Sequence, residues 1–356
     1  MAGWSALPYD LIESIANLLN AAEDFLSFSS VCRSWRLVYK SKNWHPGFQL
    51  PWLMLGEMQT NKGSMRQFLS MCKFKFHYLP FPETQDFRCW GACQESVITI
   101  NPRFEVRLVN PFTHVCINLP SITTLNIEGA ARDCWFSVIH KAKYFKIQNE
   151  YMVFLIYGPR FEVAFTRSGD SRWSLVQSLI PARFVDVVCF KDQIMALSIV
   201  GTLFSLEING VDTPRMLTVS PPPQQEKSWQ QVYLVESSGD LLILFSYPSG
   251  NMVSRFRAYR FDISKREWIR LEDLGNNVLL IDTGICTSLL ACDYLQCNCI
   301  YFVHDNLDSF LASGPKCMGN YMSVYNLKEN YTDFMNFGND NSFRYISPTW
   351  VLPSLW

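Results

Sequence analysis

The residues whose types and spacing could do chemistry are Cys292, Cys297, Cys299 and His304. Thiolates and an imidazole are the ligands of tetrahedral zinc. Their separations of five, two and five positions lack the paired Cys-x-x-Cys knuckles that usually hold that ion. Cys297 and Cys299 fall on one face of an expected strand, where free thiols act as small hydrophobes and fill core. Cys89 and Cys93 flank Trp90 and read as packing. No basic cluster can be set beside any of these thiols, so none is marked as a low-pKa nucleophile. The five histidines, at 45, 77, 114, 140 and 304, form no His-Glu-x-x-His pair. The chain has no Gly-x-Ser-x-Gly elbow, no Gly-x-x-x-x-Gly-Lys phosphate loop and no Gly-x-Gly-x-x-Gly turn. The expectation is a non-catalytic protein with no cofactor and no bound metal.

Two basic stretches could instead touch nucleic acid. Lys73, Lys75 and His77 alternate with Phe74, Phe76 and Tyr78, and interleaved cations and rings can follow a backbone and stack on bases. A half-buried strand with aromatics inward and lysines in water has the same alternation, and this is the reading adopted. Lys141, Lys143 and Lys146 are read likewise as solvent-facing strand charges. The whole chain carries 31 Lys and Arg against 32 Asp and Glu, a net charge of -1, so no bulk field favours a nucleic acid partner. Charged residues make up 18 % and aromatic residues 15 % of the 356 positions, which excludes a wholly disordered chain.

No apolar run reaches the roughly 18 residues of a membrane span, and the first ten residues lack the basic start and continuous apolar core of a signal peptide. An intracellular protein of the nucleus and/or cytoplasm is expected, with no membrane partner and with its 12 cysteines as reduced thiols.

The elements that position these residues divide in two. In the first 45 residues, Leu11, Ile15 and Leu18, with Ile12 and Leu19, recur at helical spacing after Pro8. This predicts an amphipathic helix of about three turns. A second helical run from about Asp24 carries Phe28, Val31, Cys32, Trp35, Val38 and Tyr39 on a broad apolar face. His45-Pro46-Gly47 then breaks the pattern. Residues 46–84 read as a linker and packing segment. From about residue 95 the pattern is strand, turn, strand, with runs at 97–100, 106–109, 144–147, 152–157, 162–165, 185–190, 193–198, 202–207, 231–236, 240–245, 253–261 and 300–303. Asn209-Gly210 and Ser238-Gly239-Asp240 punctuate these runs, and 220–227, with three consecutive prolines, reads as a flexible external loop. Strand, polar turn and returning aromatic recur around Trp173, Trp268 and Tyr331. Dividing about 250 residues by 40–50 per four-stranded blade gives five to seven blades. The expected fold is thus a small all-α unit (1–45) followed by an all-β domain (85–356), a β-propeller of five to seven blades.

Leu7-Pro8-Tyr9-Asp10-Leu11-Ile12-Glu13-Ser14-Ile15, followed by Asp24, Phe28, Val31-Cys32-Arg33 and Ser34-Trp35, resembles an F-box over about residues 4–44. Pro51-Trp52-Leu53-Met54-Leu55, Val109-Asn110-Pro111-Phe112-Thr113, Gly239-Asp240-Leu241-Leu242, Phe261-Asp262 with Trp268, Asn298-Cys299-Ile300-Tyr301-Phe302 and 347–353 are similar to a plant F-box family. The C-terminal domain of that family is domain of unknown function 295, regarded as a β-propeller. The resemblance implies a substrate-recognition subunit of an SCF-type cullin-RING ubiquitin ligase. Leu7, Pro8, Leu11, Ile12, Ile15, Val31 and Cys32 would meet the cullin-ligase adaptor, Trp35 would pack internally, and the propeller would hold an unknown protein substrate. The alternative from the residues alone is a non-ligase propeller scaffold whose helical stripe is simply core.

Overall fold

The computed structural model describes residues 4–19, 24, 27–28, 31–41, 50–61, 63–72, 74–81, 87–91, 96–125, 127, 137–147, 150–208, 214–223, 226, 228–249, 252–303, 321–336 and 348–352. The breaker at 45–47, Lys73, Cys93, the 209–210 turn, His304 and Ser347 lie outside the described residues.

The first apolar stripe folds as helix α1 (Tyr9–Ala16), entered from Pro8, whose carbonyl accepts the Ile12 N–H at 3.1 Å. It is shorter than the expected three turns, and Leu18 beyond it is exposed. Helix α2 (Arg33–Ser41) packs against it. Ile12, Ala16, Phe28, Trp35 and Val38 form the core of this unit, with Leu7, Ile15, Leu19 and Cys32 against it. The Trp35 indole lies 4.6 Å from Phe28 and donates to the Trp4 carbonyl at 3.1 Å. Trp35 is therefore internal, as expected.

The remaining strands form six sheets. Blade one joins β1 (Trp52–Thr60), β2 (Gly63–Ser70) and β3 (Lys75–Pro80) to β26 (Thr349–Val351), which supplies its inner edge. Blade two is β4 (Arg88–Gly91), β5 (Val97–Ile100), β6 (Val106–Val109) and β7 (Cys116–Leu119). Blade three is β8 (Ile139–Ile147), β9 (Glu150–Tyr157), β10 (Glu162–Arg167) and β11 (Ser174–Leu175). Blade four is β13 (Phe184–Phe190), β14 (Gln193–Ser198), β15 (Leu203–Glu207) and β16 (Arg215–Ser220), with β12 (Gln177–Ser178) added parallel to β16. Blade five is β17 (Gln231–Ser237), β18 (Asp240–Ser249), β19 (Met252–Asp262) and β20 (Glu267–Leu271). Blade six departs from the meander. Its inner strand β22 (Cys286–Leu290) follows β21 (Asn277–Ile281), which pairs parallel with β23 (Cys299–Val303) before β24 (Tyr321–Asn326) and β25 (Tyr331–Asn336).

The result is a six-bladed propeller, within the expected five to seven. Six apolar clusters lie one at each blade junction, including that between blades six and one. Each sheet is thus buried on both faces, and ring closure removes the long exposed edges that open sheets must protect. The segment 46–84 is corrected by this topology. Its described part is not a linker, because β1–β3 complete the closing blade through Trp52↔Val351, Leu53↔Trp350 and Met54↔Thr349. The alternation Trp52, Met54 against Leu53, Leu55 supplies two different cores, and both faces read as apolar for that reason.

Asp282 fastens the closure from the β21–β22 turn. One carboxylate oxygen accepts the N–H groups of Gly284 (2.5 Å) and Ile285 (2.6 Å). The other accepts the Thr349 hydroxyl and the Trp350 N–H, both at 2.7 Å. Thr349 in turn accepts the Gly91 N–H at 2.7 Å. Blades six, one and two therefore meet through the Asp282 and Thr349 side chains. Burial pushes the Asp282 carboxyl above its ordinary range, while the four donors pull it back. Gly91 is required by proximity, since a Cβ there would overlap Thr349 Oγ1, the Trp350 carbonyl and Ile285 Cδ1.

Three further expectations change. Lys141 and Lys143 are buried rather than solvent-facing, while Lys146 is exposed. Phe74, just before β3, and Tyr78 on it are exposed, whereas His77 turns inward and stacks on Trp52 at 4.6 Å. The prolines after β16 are pinned. The Trp268 indole donates to the Pro221 carbonyl at 3.1 Å, Pro223 is buried, and buried Glu226 pairs with Arg257 and accepts the Tyr259 hydroxyl.

Candidate functional site

Helix periodicity sorts the seven residues expected to meet an adaptor. Ile12 and Ala16, four positions apart, share the α1 face that meets α2, and Ile12 is 1 % exposed. The assignment of Ile12 as a contact residue is therefore corrected, because its side chain is already spent on the unit's own core. Leu7, Ile15 and Cys32 are half-buried against that core. Pro8, Leu11 and Val31 reach the surface, Leu11 and Val31 at 49 % and 53 % exposed. Exposed Trp4 and Tyr9, which the expectation omitted, and Leu37 on α2 add to the apolar surface of the unit. The Cys32 thiol sits 3.1 Å from the Ser34 hydroxyl, and that hydrogen bond, with the Trp35 N–H, draws its pKa down.

The helical unit rests on the propeller through Phe112. Asn110 Oδ1 accepts the N–H groups of Phe112 (2.8 Å) and Thr113 (3.0 Å), which fixes the β6–β7 turn. Phe112 packs on the helical core on one side and lies 5.4 Å from Trp52 and 5.9 Å from Phe68 on the other. Asn110 and Pro111 are turn-forming residues by type. A large apolar side chain at the tip of the turn was the available signal that it is covered.

Three successive antiparallel strands, β4, β5 and β6, carry blade two from the start of β4 to the β6–β7 turn, so this contact lies at the end of the ring opposite the starts of the inner strands. At the latter end, Leu179, Ile180, Ile199 and Val200 are exposed. A cavity of about 240 Å³ opens there among the starts of β8, β13 and β17 and the β21–β22 turn. Behind it, Lys141 Nζ lies 3.0 Å and Lys143 Nζ 2.8 Å from the two oxygens of Asp186, which also accept the N–H groups of Leu234 and Val187. Burial alone would raise the Asp186 carboxyl; the two ammoniums outweigh it and hold the group below its ordinary value. Burial pushes the Lys141 ammonium down.

Among the described residues, no group of three or more His, Cys, Asp or Glu side chains could hold a metal ion. Cys297 is exposed in the turn before β23 and Cys299 is buried on it, so the two do not share a strand face. Cys89 and Trp90 are both buried packing residues. No helix among the described residues is long and apolar enough to cross a membrane.

Comparison with known proteins agrees with this architecture. Residues 4–45 match the F-box domain and residues 68–326 the KIB1-4 beta-propeller. The F-box/kelch-repeat protein KIB1 of Arabidopsis thaliana is 24 % identical over 334 residues, covering 90 % of this chain and 82 % of that protein. The F-box protein SKIP23 of the same plant is 24 % identical, covering 83 % of this chain and 82 % of that one. Among solved structures, TolB from Acinetobacter baumannii superposes with a TM-score of 0.46 at 7 % identity, covering 89 % of this chain and 70 % of that one. The geometry gives a helical unit packed on a six-bladed ring, the sequence matches give an F-box domain followed by a β-propeller, and the chain belongs to the KIB1-4 β-propeller family.

Proposed function

We propose that this protein is the substrate-recognition subunit of an SCF-type cullin-RING ubiquitin ligase, acting in the nucleus and/or cytoplasm. The observation that carries the reading is a helical unit whose core is closed by Ile12, Phe28, Trp35 and Val38, yet which keeps Pro8, Leu11 and Val31 at its surface. Burying such side chains in an adaptor groove is worth about 1 kcal/mol each at half exposure. The propeller would offer the target the end of the ring away from the helical unit. Ubiquitin transfer would be performed by other subunits. The contribution of this chain is proximity, holding a substrate lysine near the charged conjugating enzyme.

The test is co-purification of the full chain with the cullin-ligase adaptor. The wild type is expected to form a one-to-one complex, and Leu11→Asp with Val31→Asp to lose it while keeping the wild-type melting temperature. A folded wild type that binds no adaptor would withdraw the ligase reading and leave a propeller-type binding scaffold.

A further inference from the structure

The cavity at the starts of the inner strands has a donor set that the ligase reading does not use. Lys141, 6 % exposed, lines it and shares its carboxylate partner Asp186 with Lys143. No carboxylate is among the described lining residues. Arg183 lies 4.4 Å over the ring of Phe161, a wall of the cavity, and has no ion-pair partner among the described residues. The other lining groups supply donors. Gln231 accepts the Tyr233 hydroxyl on its oxygen, which leaves its amide N–H groups available. Thr283 carries a hydroxyl between two residues fixed by the Asp282 hydrogen bonds. Trp229 and Tyr233 add flat apolar surface, and Lys141 Nζ lies 5.4 Å from the Tyr233 ring.

A buried ammonium that shares its counter-charge, with neutral donors around it and aromatic walls beside it, is matched by an anion with an apolar body. We propose that this cavity binds a small organic anion, a carboxylate or phosphate monoester on a ring-sized apolar body, with Lys141 holding the charge and Gln231 and Thr283 completing its hydrogen bonds. The proposal does not depend on the adaptor-binding role, which uses the other end of the ring.

The experiment is calorimetric titration of the full chain with benzoate, phenyl phosphate and inorganic phosphate. At least one of the two aromatic anions is expected to bind saturably at one site, and more tightly than inorganic phosphate, which cannot use the walls. Lys141→Met, which leaves Asp186 paired with Lys143, should weaken that binding by about ten- to a hundredfold. Thr283→Val, a rim substitution that leaves the ion cluster intact, should weaken it severalfold and covers the case in which the lysine variant fails to fold. Absence of binding by both aromatic anions overturns the proposal. So does affinity unchanged in Thr283→Val or in folded Lys141→Met. Inorganic phosphate binding as tightly as phenyl phosphate would mean surface charge alone and would also overturn it.

Discussion

Replacing Asp282 by Asn tests whether one buried carboxylate closes the ring. The wild-type oxygens accept four donors, from Gly284, Ile285, Thr349 and Trp350. An amide of the same shape retains one oxygen and turns an NH₂ group toward the other two donors. Each buried donor left without an acceptor costs about 1–3 kcal/mol. Removing the buried charge recovers part of this, since a desolvated carboxylate is itself expensive. A net loss of about 3 kcal/mol follows. With an unfolding entropy of about 2.1 cal/mol/K per residue and roughly 300 residues in the ring, that loss lowers the melting temperature by about 5 °C. Tryptophan fluorescence is a suitable probe, because Trp90 and Trp350 flank the closure and are both buried. Thr349→Val, which removes one donor and orphans the Gly91 N–H, should destabilise by about 1–3 kcal/mol. The double variant should lose less than the sum, because the two changes share one network. An Asn variant that melts within about 1 °C of the wild type would refute the closure role, and strictly additive losses would refute the shared network.

Other outcomes follow from the same geometry. Asp186→Asn strands two buried lysines and should cost about 3–5 kcal/mol, partly restored by adding Lys141→Met, as chemical denaturation would measure; no rescue would mean the cluster is not electrostatically coupled. Because the folded Asp186 pKa is lowered, its stabilisation is full above its unfolded value near 3.8 and is lost as pH falls through the lower folded value. His140 is stacked 3.9 Å from Phe161 and donates through Nε2 to the Gly158 carbonyl, and burial, with Arg88 and Arg183 nearby, lowers its pKa. The unfolded chain therefore binds the extra proton first, and stability should fall as pH drops below about 6.5. His140→Phe should flatten that slope in melting temperature against pH; an unchanged slope would clear this residue of the effect. Ile12→Asp should unfold the helical unit, detected as rapid proteolysis near the first helices, whereas Leu11→Asp should leave it folded and weaken adaptor binding alone. Equal protease resistance of the two would contradict the separation of core from surface.

Much of the fold was legible because strands and turns are local. Runs such as 97–100, 106–109 and 193–198 coincide with β5, β6 and β14, since alternation and flanking turn residues fix them within a few positions. The outer hairpins at Asp262 and Asn326 use the side-chain oxygen to accept the next N–H groups, a turn chemistry visible in the letters. Strands β1–β3 were missed because their inner partner, β26, comes from a segment far along the sequence, and both faces of β1 are apolar, so no polar-apolar alternation marks it.

The candidate site was less legible. The F-box stripe identified the unit but could not say that Ile12 points inward while Leu11 points out, because α2 decides which side of α1 is covered. Lys141 and Lys143 read as ordinary strand charges until β13 brings Asp186 between them.

The amino-acid sequence by itself determined the helical unit, the β-rich remainder from about residue 95, many of the turn positions and the pairing of an F-box with a β-propeller, since all of these rest on periodicity and short motifs within one segment. The tertiary structure decided the blade count, the Asp282 closure, the burial of Lys141, Lys143 and Ile12, and the seat of Phe112. These depend on which distant segments share a blade junction, and the cost of burying a charge or the gain from burying a ring is set by the neighbour that arrives there.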